Sequence, residues 1–138
     1  MSLSVNLQDV IIARLKGNAA VATLVGDRVY DGVPSDAAYP YISFGPSDFR
    51  TDDADCVRGR EETFQLDCWS RDKARLWPCK KLVDAVVRAL VVDEQEIEET
   101  ENGFALDFRV ELARVFLDPD GATAHGVVQV TIIAEEID

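Results

Sequence analysis

Residues 61–69 constrain this chain's fold more than any other part of it. Phe64, Leu66 and Cys68 alternate there with Thr63, Gln65 and Asp67. A period of two places the apolar set on one face of a β-strand and the polar set on the other. Such a strand needs neighbours to complete a sheet and an apolar layer to cover one side. Phe104, Leu106, Phe108, Val110 and Leu112 repeat the pattern and predict a second long strand. Two further strands are expected at 39–44 and 127–134. The first has Pro40 at its beginning, where a missing N–H is tolerated, and Gly45-Pro46 at its end.

The covering layer is legible as helices. Leu7, Val10, Ile11 and Leu15 fall at helical spacing with Gln8, Asp9 and Arg14 between them. Gly17 suits the end of that helix. Asn18 suits the cap of a short following turn whose apolar side is Val21, Leu24 and Val25. Cys79, Leu82, Val83, Val86 and Leu90 form the stripe of another helix. Pro78 means that it either begins there or kinks there.

The connections have turn chemistry. Asn102-Gly103 and Asp118-Pro119-Asp120-Gly121 are turns. Residues 48–59 are polar and predict a long mobile hairpin loop. The order is helix, hairpin, helix, hairpin, in a chain of 138 residues, the size of one domain. The expected class is α/β (α+β): a single domain over residues 1–138, with one mostly antiparallel sheet of four to five strands and two main helices packed on one face. Phe64, Leu66, Leu106, Phe108 and Val110 are its predicted core.

Charge narrows the function. Twenty-six acidic residues face 14 basic ones, for a net charge of −12. Neutralising phosphates takes Lys and Arg, so tight DNA binding is disfavoured. Residues 93–101 hold six carboxylates and no base. They lack the Asp-x-Asp-x-Asp-Gly order of a calcium loop and read as a solvated run. Cys56, Cys68 and Cys79 are odd in number, without a Cys-x-x-Cys pair, and read as free thiols of a reducing compartment. No signal peptide and no membrane span is legible.

Catalytic patterns are missing. His125, the single histidine, follows the Asp-Pro-Asp-Gly turn and is expected to be a polar turn residue. Neither a zinc-ligand spacing nor a Gly-x-Ser-x-Gly elbow accompanies it. Cys68 on an apolar strand face is core rather than nucleophile. The expectation is a non-enzyme with no catalytic residue, cofactor or metal. Its candidate interaction residues are Asp48, Arg50, Asp52, Asp53, Asp55 and Arg58 of the loop, Trp77 as an anchor, and Glu96, Glu98 and Glu99 of the acidic run.

Several segments occur together in one order: Leu24-Val25-Gly26-Asp27-Arg28-Val29-Tyr30, Tyr39-Pro40-Tyr41-Ile42, Phe64-Gln65-Leu66-Asp67-Cys68-Trp69-Ser70, Leu82-Val83-Asp84-Ala85-Val86, and Asp118-Pro119-Asp120-Gly121-Ala122-Thr123-Ala124-His125-Gly126-Val127. This set resembles the phage tail terminator, or tail-completion, family of phages, prophages and gene transfer agents, long catalogued as a domain of unknown function. The resemblance spans nearly the whole chain. It implies a structural protein that caps the tail tube at its head-proximal end, joins it to the head connector, and forms a hexameric ring of an α/β sandwich. The implied partners are other copies of the chain, the tail-tube protein and the head-completion protein. DNA passes without specific binding. The implied location is the host cytoplasm during assembly, then the virion tail. Pro78 and the acidic stretch depart from the family pattern. Two other classes compete: an acidic DNA mimic or other soluble protein-binding module, and a small enzyme with an uncharted site.

Overall fold

The computed structural model describes residues 2–54, 57–91 and 97–137. Three helices, α1 (Leu3–Lys16), α2 (Ala19–Val25) and α3 (Trp77–Leu90), accompany six strands: β1 (Val29–Tyr30), β2 (Tyr41–Thr51), β3 (Gly59–Ser70), β4 (Glu98–Glu99), β5 (Gly103–Leu117) and β6 (Ala124–Glu136). The sheet order is β1-β2-β3-β6-β5-β4. The α+β class holds, but the sheet is mixed and curled, with six strands rather than four to five. β1 runs parallel to β2, through Val29 beside Ile42 and Tyr30 beside Ser43; every other neighbour is antiparallel. The two extra strands are only two residues long, too short for a period to show.

The helices begin where their caps allow. The Ser2 side chain accepts from the Val5 N–H, and the Asn18 side chain from the Val21 N–H. The second expected turn is thus a full α2. Pro78 lies in the first turn of α3, where no intrahelical N–H is lost, so α3 begins there. The buried stripe of α1 is Leu3, Leu7, Ile11 and Leu15; that of α3 includes Cys79, Leu82, Val86 and Leu90. They meet Ile42, Phe64, Leu66, Cys68, Val128, Val130 and Ile132 of the sheet in one core. Glu62 is also buried on this face. It accepts from the Ser4 hydroxyl at 2.9 Å and pairs with Arg60, which also bonds Glu136. A buried carboxylate needs these partners.

Three expectations are corrected here. Gly45-Pro46 does not end the strand: the register slips between Phe44 and Ser47, and β2 continues to Thr51. The slip is a bulge in the β2–β3 ladder, one of the places where a strand tolerates proline. Residues 48–51 therefore belong to a strand, with Asp48 beside Thr63 and Arg50 beside Glu61. The alternation in β5 is also interrupted, between Ala105 and Asp107 and between Val110 and Leu112. Each bulge shifts the phase by one residue. Ala105 and Phe108 are buried, Leu106 and Val110 only partly, and Leu112 is exposed. Finally, His125 is no turn residue: it lies in β6, opposite Trp69.

Candidate functional site

The helices cover one face of the sheet and leave the other open. On the open face Asp48 and Arg50 of β2, Glu61 and Thr63 of β3, Glu111 of β5, and Gln129 and Thr131 of β6 line a shallow groove of about 310 Å³. The Thr63 and Thr131 hydroxyls touch across β3 and β6 at 2.8 Å. Strand alternation delivers these side chains together: Glu62 of β3 and Val130 of β6, between them, are buried on the other face. Among the described residues neither Asp48, Arg50 nor Glu111 enters an ion pair.

Further along the same face the polar groups close on one another. The His125 Nε2 lies 2.7 Å from Asp67 Oδ1, and Gln65 Nε2 donates to that oxygen at 3.0 Å. The imidazole stacks on Trp69 with centroids 3.9 Å apart, and Trp69 Nε1 donates to Ser43 Oγ at 2.9 Å. These contacts join β2, β3 and β6 across the face, and Asp118 Oδ1 lies 3.6 Å from the other imidazole nitrogen.

The two ends of the sheet differ in character. One end carries the β2–β3 hairpin tip, β4 and the end of β6, tied together by the Glu136 N–H donating to Arg58 O at 2.8 Å. Asp52 and Asp53 are exposed on that hairpin. Glu98 and Glu99 form β4, and Glu98 is not a free acid: Arg14 reaches it at 2.7 Å. At the opposite end Trp77 opens α3 with 57% of its surface exposed, and the Arg75 guanidinium lies 6.0 Å from its ring centroid. Arg71 bridges to Asp120 there at 3.1 Å. Asp120 accepts from the Thr123 hydroxyl and from the Ala122 and Thr123 N–H groups, which together hold its carboxyl well below the usual carboxylate range. The expected interaction residues therefore fall into three groups rather than one. Asp48 and Arg50 join the groove, Asp52, Asp53, Arg58, Glu98 and Glu99 gather at the hairpin end, and Trp77 stands at the far end. Asp55 and Glu96 lie outside the described residues, as does Cys56.

The remaining thiols are buried and free of disulfide bonds. Cys79 Sγ donates to the Cys68 carbonyl at 3.6 Å. Burial pushes the Cys79 thiol up to about 11 and the Cys68 thiol well above its ordinary value. Neither is a nucleophile at neutral pH. Glu61, Glu111, Gln129 and Thr131 were not singled out in the sequence, and Thr63 was visible there only as part of the polar phase of β3.

The family model for tail completion protein gp17 matches residues 9–135. The chain belongs to this family. The family is one of structural phage tail proteins, and the chain is accordingly a tail-completion protein. Two solved structures share the fold. A chain in the virion of a native gene transfer agent particle has a TM-score of 0.84 at 22% identity, covering 97% of this chain and 98% of that one. The gp17 protein of bacteriophage SPP1 has a TM-score of 0.58 at 21% identity, covering 98% and 91%. No curated protein matches the sequence.

Proposed function

We propose that this tail-completion protein is a tail terminator: a ring, most economically of six copies, that caps the tail tube at its head-proximal end and joins it to the head connector. The observation that carries the reading is the family match over residues 9–135. The chain of the same fold in a gene transfer agent virion supports a place in a particle. Capping a tube requires the tube's own rotational symmetry, so identical subunits repeat head to tail around one axis and close.

The open sheet face supports the same reading. Among the described residues, Asp48, Glu61 and Glu111 line its groove with Arg50 as the one cation. A channel that DNA crosses without sticking is best lined by carboxylates, which repel phosphate. We place this face toward the lumen. The two chemically distinct sheet ends then meet different partners. The hairpin end with Asp52, Asp53, Arg58, Glu98 and Glu99 faces one, and the end with Trp77 faces the other; the tail tube and the head connector are the two candidates. The protein assembles in the host cytoplasm and remains in the virion tail, and it performs no catalysis. Removing the gene tests the reading: tails should accumulate uncapped and unjoined to heads, and supplying the protein should restore joining. Normal particles without the protein would overturn it.

A further inference from the structure

β2 and β5 are long, and each is covered on its outer side only by a two-residue strand. β1 pairs only with Ile42 and Ser43 of β2, and β4 only with Phe104 and Ala105 of β5. Among the described residues, the outer backbone groups of 44–51 on β2 and of 107–117 on β5 face no strand. Native proteins normally blunt such edges, because a row of unpaired N–H and C=O groups invites another strand. β5 is bare in a second sense. Residues 111–114 are exposed on both faces, and Leu112 and Leu117 are 44% and 42% exposed. This end of the strand reaches beyond the cover of its own helices.

The two edges match in direction and in charge. β2 is antiparallel to β3, β3 to β6, and β6 to β5, so β2 and β5 run in opposite senses. A rotation about an axis along the strands brings β5 of one copy beside β2 of the next without inverting either. The new pair is antiparallel, like its neighbours. Arg109, Glu111 and Arg114 lie along the β5 edge; Asp48 and Arg50 lie along β2, and Asp52 follows one residue past its end. Arg109 opposes Thr131 and Asp48 opposes Thr63, so both belong to the open face where those hydroxyls meet.

We propose, on the ring reading above, that β5 of one copy pairs with the outer edge of β2 of the next. Arg114 then faces Asp48, Glu111 faces Arg50, and Arg109 faces Asp52. The bulge between Val110 and Leu112 absorbs the odd spacing on β5. A slip must move by two residues to keep the same faces together. Slipping one way sets Arg114 against Arg50. Slipping the other way sets Glu111 against Asp48 and Arg109 against Arg50. Only one register places opposite charges at all three positions, and like charges directly opposite are destabilising. Arg109 reaches Asp107 at 3.0 Å within its own strand, and Arg114 lies over Phe116. The contact is local and complementary in a subunit whose net charge is −12. It gives strongly acidic copies a specific reason to associate.

The test uses the full chain with Cys56→Ser, in which Asp48→Cys subunits and Arg114→Cys subunits are prepared separately. After assembly is measured by light scattering, a short thiol-to-thiol cross-linker is added. The proposal expects cross-linked pairs only in the mixture, and a covalent ladder ending at six when both cysteines are in one chain. Charge reversal gives a second readout. Arg114→Asp alone should raise the concentration needed for assembly several-fold, and Asp48→Arg in the same chain should restore it. Cross-linking of Arg114→Cys subunits to themselves would show a two-fold β5–β5 contact and overturn the pairing. Rings that form without a 48–114 cross-link and ignore charge reversal would overturn the pairing while leaving the ring intact. A chain that never assembles would overturn the ring reading and the pairing with it.

Discussion

Gly126 of β6 and Val83 of α3 are in such close approach that a Cβ on the glycine would stand 2.5 Å from Val83 Cγ2. Cys79 Sγ and Cys68 Cβ would lie at 3.1 and 3.2 Å from it. The third helix rests on the sheet where the side chain is missing. Gly126→Ala should therefore destabilise by about 1–3 kcal/mol, the usual cost of overpacking a core. Val83→Ala in the same chain should recover part of that loss. Chemical denaturation of the two single variants and the double variant reads the coupling; strict additivity would mean that the helix moves aside freely.

Phe64 tests the centre of the core. It is 3% exposed and meets Phe44 edge to face at 6.5 Å. Phe64→Ala should cost about 3–5 kcal/mol through lost burial and the cavity left behind. A midpoint shift worth less than about 1 kcal/mol, far below that range, would mean that β3 presents its other face to the helices.

The thiols predict an alkaline weakness. An unfolded cysteine ionises near its ordinary value of 9.0, whereas Cys79 in the fold is pushed up to about 11 by burial. The folded chain thus holds the proton more tightly. The stability this confers is fully present below pH 9 and is lost as pH rises through about 11, because the unfolded state then binds fewer protons. Cys68 acts in the same direction. Unfolding titrations across that range should slope downward, and less steeply in Cys79→Ala. At neutral pH, site-resolved alkylation should leave Cys68 and Cys79 unmodified until the chain unfolds. Rapid modification of either in the folded protein would contradict their placement.

What the sequence made legible was the strongest periods. The stripes of α1 and α3 and the Phe64, Leu66 and Cys68 face were read correctly because each runs without interruption for the length of its element. β5 was misread because its apolar alternation continues through two bulges that the backbone does not continue through. Leu106 and Leu112 look like core by spacing and are pushed outward by one extra residue each. Gly45-Pro46 looks like a stop and is a bulge within β2, which hid Asp48 and Arg50 inside a predicted loop. The open-face groove was illegible for a different reason. Its residues come from four strands, and Thr63, Glu111 and Thr131 become neighbours only once the sheet order is known.

The ring itself is the central claim, and native mass spectrometry across salt and protein concentration tests it most directly. Subunits of net charge −12 repel one another, and salt screens that repulsion over a Debye length of about 8 Å near physiological ionic strength. The account predicts monomers at low salt and high dilution, and a closed species of six copies as salt or protein concentration rises. A chain that stays monomeric throughout, or stops at a two-fold dimer, would contradict it.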